Sequence, residues 1–420
     1  MWAVAALMLT ACGEDRTHEY EELTVRDHWM MEVMQREYLW GDQMKELEWR
    51  DYFAKPTDFF AKLTAQAPIS DTWSWCSIDT LMEDHHERGY FNHLDSYGMD
   101  FVVMVDPTGG TSRQYGRVMT VYADSPAARA GLQRGDFISS VDGSKFTSTL
   151  AKRLINGKKH TLGIEQLGYS AEETAPVWTG SKTLDIEASE YVEDVAFPVH
   201  NSYETSSGTV GYLLCNRLTE GPTEKAAAST AYRDALDAVM AAFSTRTFSA
   251  FVLDLRLCND GTIDMARRLA SYLVGTDQKG STFARTIYNS ANASRNATIT
   301  FDDNCIDRHL DIQTLYIITS GHTSGAAEWL IRGIRKAKGN DYVITVGKTT
   351  NGQVVMTSAI PSSYQVTLHP AVCYVADVDG DHDYAAGLTP DIDVDEQTTL
   401  FLYPYGDTRE VLLNAILTRE

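Results

Sequence analysis

Cysteine is scarce in this chain: six residues in 420, with no Cys-x-x-Cys pair. That excludes zinc-ribbon and thioredoxin-type chemistry, which need thiols at that spacing. Apart from Cys12 there are Cys76, Cys215, Cys258, Cys305 and Cys373, an odd number. Cys215 and Cys258 lie in or at the ends of apolar strand-like runs, where a thiol behaves as a small hydrophobe. Positive charge is short as well. Lys and Arg number 36 against 58 Asp and Glu, a net charge of −22. This argues against nucleic acid as a partner, because phosphate affinity comes from clustered cations. Glycine (29) and proline (11) together make 40 residues, too few for a collagen-like or disordered chain. After residue 12 no apolar run is long enough to cross a bilayer as a helix.

What remains is a globular composition, 43% hydrophobic, with room for about two to four domains. Met1 to Cys12, MWAVAALMLTAC, is apolar and closes on small residues and a cysteine. Leu9-Thr10-Ala11-Cys12 resembles the lipobox of bacterial lipoproteins, although no basic residue stands ahead of the apolar run. The resemblance implies cleavage before Cys12, lipidation of that residue and anchoring to the outer membrane of a bacterial cell envelope. The acidic Gly13-Glu14-Asp15 that follows accompanies surface export in some such lipoproteins.

Residues 20–90 carry helical periodicity, clearest in VRDHWMMEVMQREYLW and FFAKLTAQ. From Gly98 the texture changes to short β runs, FVVMV and RVMTVY, divided by the turn Asp106-Pro107-Thr108-Gly109-Gly110. In SPAARAGLQRGDFISSVDG, Ser125 suits a helix cap, Pro126 its first turn, Gly131 its stop, and Gly135-Asp136 a tight turn into a strand. This stretch resembles a PDZ domain. The resemblance implies that Tyr97, Gly98, Met99, Asp100 and Phe101 receive a peptide carboxylate on backbone N–H groups, beside a strand edge that pairs with the peptide. Residues 170–207 are polar and poor in strand signals apart from SKTLDIEAS. Beyond them strands alternate with helices, from VGYLLCN through AAEWLIRGIRKA to YVITVG, which implies right-handed βαβ units and a mainly parallel sheet.

Ligands of such sheets bind beyond the carboxyl ends of the strands. Three ends carry chemistry: Asp254 to Gly261 (DLRLCNDG), Ser320 to Glu328 (SGHTSGAAE) and Gly347 to Gln353 (GKTTNGQ). With the closing AAGLTPDIDV at Ala385 to Val394, these resemble the carboxyl-terminal processing, or tail-specific, serine peptidases, which use a Ser/Lys pair and embed a PDZ domain. The implied fold is multi-domain α/β: a lipoprotein signal at 1–12, an N-terminal helical domain at 13–91, a PDZ domain at 92–189 and a ClpP/crotonase-like peptidase core at 190–420. No metal or cofactor is expected.

The family mechanism needs a serine at a helix start, a desolvated neutral lysine to take its proton, and backbone N–H donors for the oxyanion. Aligning the family's Thr-Ala-Ser-Ala-Ala-Glu on Thr323 and Glu328 puts Gly325 at the nucleophile. Aligning on Gly347, Thr350 and Gly352 puts Gln353 at the lysine, 353 − 325 = 28 residues on, with Lys338-Gly339-Asn340 as a small surface insertion. The oxyanion turn, Asn-Gly-Gly in the family, is Cys258-Asn259-Asp260 before Gly261. Glycine has no nucleophile and glutamine no titratable base, so a peptide-binding member with lost or weakened catalysis is expected. Glu328 and Arg256 are read as structural.

The alternative is an active serine endopeptidase using Ser324 with Lys348 or His322. Against it, one step along a helix turns a side chain by roughly 100°, which directs Ser324 away from the site and leaves it as a helix cap. A third reading is an envelope scaffold whose acidic surface binds a basic partner. Asp377, Asp379, Asp381 and Asp383 in DVDGDHD resemble part of a calcium loop, but the EF-hand's later glutamate is missing, and a solvated acidic turn is expected.

Overall fold

A computed structural model describes residues 17–78, 95–170, 175–193, 195–222 and 229–420. Cys12 lies outside these residues. The chain divides into two compact units, the first comprising Met1–Glu83, Tyr288–Ser294 and Thr357–Cys373, the second everything else.

In the first unit, helix α1 (Thr17–Glu37) buries Thr24, Asp27, Met30, Met31 and Met34. Steps of three and four residues put these on one face, as the periodicity predicts. Asn289 closes its carboxyl end by donating to the carbonyls of Arg36 (3.0 Å) and Tyr38 (2.8 Å), groups that a helix end leaves without internal partners. Helix α2 (Pro56–Thr64) starts on proline, whose missing N–H costs nothing there, and buries Phe59, Phe60 and Leu63. This unit is not wholly helical. Trp75–Ile78 forms a strand antiparallel to Val366–His369, with the Trp75 ring stacked on His369 at 3.5 Å. The strand's partner lies almost 300 residues away, so no local periodicity announces it.

The second unit begins with an antiparallel sheet of six strands, five of them paired in sequence order, β1 (Met99–Val105), β2 (Gln114–Val121), β3 (Phe137–Val141), β4 (His160–Tyr169) and β5 (Pro176–Ile186), with β1 at its edge and the short Ser144–Lys145 paired to β3. Between β2 and β3 sits α3 (Pro126–Ala130). Ser125 Oγ accepts the Ala128 N–H at 3.1 Å, and Gly131 at φ +83° stops the helix. The stretch from 170 to 207 holds more strand than its polar composition suggests. β5 pairs along the whole of β4, and β6 (Val199–Glu204) pairs antiparallel with β7 (Thr209–Leu214). Both are strands with one wet face, which cross-strand hydrogen bonds hold without continuous apolar residues.

Within the remainder, the elements of the parallel core are α4 (Ala231–Phe243), β8 (Ala250–Asp254), α5 (Ile263–Tyr272), β9 (Thr314–Thr319), α6 (Ala326–Lys338), β10 (Val343–Gly347), β11 (Ile392–Asp393) and α7 (Val411–Leu417). The sheet order is β11-β10-β9-β8-β7-β6, parallel throughout except for β6. Every residue of β8 is buried, as a strand covered on both faces must be. Leu412, Leu413 and Ile416 of α7 pack with Val210, Val252 and Ile318 on one face.

A buried charge cluster ties the antiparallel sheet to the parallel one. Glu396 Oε2 accepts from Arg134, which follows α3, at 2.6 Å and from Arg256, which follows β8, at 2.7 Å. Arg256 also donates to Asp254 and, at 2.8 and 2.9 Å, to Glu410. Burial pushes the Glu396 carboxyl up, but Arg256 and Arg134 outweigh it and hold it at about 2, against 4.5 in an unfolded chain. A depressed carboxyl contributes stability above its unfolded value that is lost as pH falls toward its folded one. Urea denaturation should therefore show stability falling between pH 4.5 and about 2. Glu396→Gln should flatten that window and cost about 3–5 kcal/mol at pH 7, because it leaves two buried guanidinium groups short of a counter-charge.

Candidate active site

The ends of β8, β9 and β10 lie side by side, since Asp254 is in register with Ile318 and Thr319 with Gly347. The three motifs that leave these ends therefore converge. At the centre is Gly325, the N-cap of α6, held at φ +54° and ψ −111°. L side chains rarely adopt this backbone.

Glu328 fixes that turn. Its buried carboxylate accepts the N–H groups of Gly325 (3.0 Å), Gly352 (2.7 Å) and Gln353 (2.8 Å) and the hydroxyl of Thr350. Burial pushes this carboxyl up, while the four hydrogen bonds pull the other way. One side chain thus pins the start of α6 to the turn after β10, and Gly325 comes to face Gln353. A Cβ on Gly325 would lie 3.1 Å from Gln353 Oε1 and 3.2 Å from its Cδ.

Gln353 is held at both ends. Its carbonyl accepts from Trp329 Nε1 (3.2 Å) and Tyr384 Oη (3.3 Å), and its Nε2 donates to the Val355 carbonyl at 3.3 Å. Its Oε1 accepts the hydroxyl of Ser324 at 2.8 Å. Ser324 therefore turns into the site, against the expectation that it points away. The 100° step applies within a helix, and Ser324 precedes the cap. It does not cap α6 with its hydroxyl either: that position is Gly325, and the Ser324 carbonyl, not the side chain, accepts the Ala327 N–H.

The proposed bases lie elsewhere. Lys348 Nζ is exposed and sits 2.8 Å from Asp393 and 3.8 Å from Asp395. The Asp393 hydrogen bond is the main cause of an upward shift in its pKa, the opposite of what a neutral lysine base requires. His322 is exposed, with its backbone N–H on Ser320 Oγ. The hydroxyl of Ser324 meets Gln353 and neither of these. An amide oxygen accepts a hydrogen bond but takes no proton at neutral pH.

The turn after β8 packs against α6. The Cys258 carbonyl accepts the Ser324 N–H at 3.0 Å, the Asp260 carboxylate pairs with Arg217 at 2.6 Å, and Asn259 is half-buried. A Cβ on Gly261 would stand 2.7 Å from the Cβ of Ala326, so only glycine allows this approach. The five described cysteines are all buried and form no disulfide.

A cavity of about 300 Å³ runs from β1 to the strand ends, bordered by Asp100, Phe101 and Val102 on one side and Leu257, His322 and Lys348 on the other. Of the five residues expected to hold a peptide carboxylate, Asp100 and Phe101 border it. Tyr97 is buried with its hydroxyl on the Lys158 carbonyl, Met99 packs in the same core, and the Gly98 N–H donates to Ser96 Oγ at 2.9 Å. Gly98 has φ +73°, and a Cβ there would meet the Ser125 Cβ at 2.1 Å. The acidic loop is paired in part from within the chain, its four aspartates meeting two cations. Lys336 Nζ lies 3.2, 2.8 and 3.9 Å from Asp377, Asp379 and Asp381, and Arg332 pairs with Asp377 and, at 3.2 Å, Asp383. Trp329 and Tyr384 were not singled out in the sequence, and Thr350 served there only to align a motif, because each acts on a residue distant in the chain: Thr350 on Glu328, Trp329 and Tyr384 on Gln353.

Comparison with known proteins identifies the domains. The profile of Peptidase family S41 matches residues 209–394, that of the Peptidase S41 N-terminal domain residues 26–75, and that of the PDZ domain residues 117–166. A carboxy-terminal-processing protease of Bartonella bacilliformis is 23% identical over 286 residues, 67% of this chain and 58% of that protein, so the match spans less than two thirds of the relative. The crystal structure of an S41 protease from Bacteroides fragilis is 29% identical and superimposes with a TM-score of 0.80 over 93% of this chain and 96% of that one. The photosystem II D1 C-terminal processing protease, 15% identical, shares the fold with a TM-score of 0.51 over 90% of this chain and 93% of that one.

Proposed function

Because the chain belongs to peptidase family S41, with a PDZ domain ahead of its peptidase core, we propose that it is a lipid-anchored member that binds protein C-termini without cutting them. One observation supports the reading: Gly325 and Gln353, the residues that align with the family's serine and lysine, face each other, with no side chain on Gly325 and the Gln353 amide 3.1 Å from where a Cβ would be. The peptide's last residues add to the edge of β1, its carboxylate lies at the Asp100 and Phe101 end of the loop, which alone borders the cavity, and its side chains enter beside Val102. Lipid on Cys12 holds the chain to the outer membrane.

Fluorescence anisotropy with a library of free C-terminal peptides tests the binding half. Peptides with apolar ends should bind, and amidating the terminal carboxylate should weaken them at least tenfold. Val102→Glu, which sets a carboxylate in the cavity wall, should do the same. It is a better variant than any at Gly98, where a side chain collides with Ser125. Absence of binding across the library, or equal binding of amidated peptides, overturns this half.

A second reading, a serine endopeptidase built on Ser324, is favoured by the 2.8 Å contact that brings its hydroxyl to Gln353. It requires a fluorophosphonate probe to label the protein and Ser324→Ala to abolish the label.

A further inference from the structure

We infer that the peptide site at β1 favours protein C-termini that carry acidic residues next to their last apolar ones, through five exposed cations between β3 and β4. The inference rests on the reading that the edge of β1 receives C-termini, and it names the class received. From Gly143 to Ile164 stand Lys145, Lys152, Arg153, Lys158 and Lys159, with no Asp or Glu among these residues, on a chain of net charge −22. All five are exposed, and among the described residues none of them forms an ion pair. Other cations around this sheet are paired: Arg113 with Glu165 at 3.1 Å, Arg129 with Glu190 at 2.8 Å and Lys182 with Asp136 at 3.0 Å. The carboxylates described at the same end of the sheet are Asp95, Asp142, Asp185 and Glu187. Two of them are engaged by other groups, since His160 Nδ1 lies 2.8 Å from Asp142 and the Thr161 hydroxyl donates to Asp185 at 2.7 Å. Lys158 acts on Asp142 only at longer range. A run of like charges repels itself, and an arriving anion relieves that repulsion.

The fold sets the run beside the start of β1. Ala151 and Leu154, which flank Lys152 and Arg153, share one core with Tyr97, Met99 and Phe101. The Tyr97 hydroxyl donates to the Lys158 carbonyl, and the Tyr97 and His160 rings lie 6.0 Å apart. The cations therefore border the end of the strand at which the peptide carboxylate arrives. Backbone donors are fewer there than the PDZ resemblance implies, because the Gly98 N–H is spent on Ser96 Oγ at 2.9 Å. Side-chain charge supplies the attraction instead, and it extends to every carboxylate that the ligand carries near its terminus. Such attraction ranks partners and steers their encounter, and salt screens it. An extended acidic chain is the occupant that fits, because the cations flank a strand edge, which takes one chain in extended form.

The test is fluorescence anisotropy on the full chain with two labelled peptides that end in the same two apolar residues, preceded by four glutamates in one and four glutamines in the other. At about 50 mM salt the glutamate peptide should bind at least ~5-fold tighter, and the difference should vanish at about 0.5 M, where screening acts within about 4 Å. Replacing Lys152, Arg153, Lys158 and Lys159 together by glutamine should abolish the preference and leave the glutamine peptide's affinity within twofold, which also shows that the variant folds. Replacing the same four by glutamate should reverse the preference toward a peptide with four lysines. Equal affinities in the parent, or a preference that survives the neutralised variant, overturn the inference and leave the C-terminal reading standing. If an amidated glutamate peptide binds as tightly as the free one and is lost in the neutralised variant, the C-terminal reading fails and the acidic preference stands. Binding of neither peptide overturns both. Equal peptide affinities together with flotation of Cys12→Ser on phosphatidylglycerol vesicles, lost in the neutralised variant, assign the cations to an anionic membrane and overturn the inference.

Discussion

A Gly325→Ser, Gln353→Lys double variant should cleave unfolded substrates with apolar C-termini, while the parent cleaves none and each single variant is silent. The gain should be at least ~10³-fold over the parent's background, the order contributed by a positioned nucleophile and base. The singles fail for separate reasons. Serine at 325 alone meets an amide 3.1 Å from its Cβ and no proton acceptor. Lysine at 353 alone has nothing to deprotonate except Ser324, which the turn holds one residue off the nucleophile position. Serine at φ +54° also carries backbone strain of about 1–3 kcal/mol, so the double variant should melt below the parent even as it gains activity. Full family rates are not expected, because Cys258, Asn259 and Asp260 replace the glycine-rich oxyanion turn. If the parent cuts and Ser324→Ala stops it, the nucleophile is Ser324 and the protein is an enzyme. If the double variant is silent, the cleft is not a disarmed peptidase site.

Glu328→Ala should destabilise the protein by about 4 kcal/mol or more in chemical denaturation, the largest loss expected from any single carboxylate near the site. The carboxylate accepts three backbone N–H groups and the Thr350 hydroxyl in a buried setting. Removing it strands donors that each cost about 1–3 kcal/mol when buried without an acceptor. Glu328→Gln should also destabilise, though less, because both carboxylate oxygens face donors and an NH₂ group must oppose one pair. Peptide binding at the β1 edge should survive Glu328→Gln if the protein folds. Loss of binding in a folded variant would show that the two sites are coupled.

Several features of the site were legible from residue order because they are local. Ser125, Pro126 and Gly131 act within a few residues as cap, first turn and stop, and backbone geometry imposes these roles wherever the segment folds. The parallel core was legible because strands buried on both faces read as apolar runs. The pairing of Gly325 with Gln353 came from matching two motifs to a family, not from spacing, and Glu328 realises it physically.

Ser324 was misread because a rule for helix interiors was applied one residue ahead of the helix, where φ and ψ of the cap decide direction. The strand at Trp75–Ile78 and the strands within 170–207 escaped because hydrogen bonds to a partner, not local propensity, hold them. Gln353's other restraints, Trp329 and Tyr384, and the Glu396 clasp on Arg134 and Arg256 had no trace in the local pattern. Short-range sterics and burial patterns thus set the elements and named the site, whereas packing between segments far apart in the chain aimed Ser324, seated Gln353 and joined the two sheets. Contacts of that kind exist only once the chain has folded, since neither partner alone shows a preference for the other.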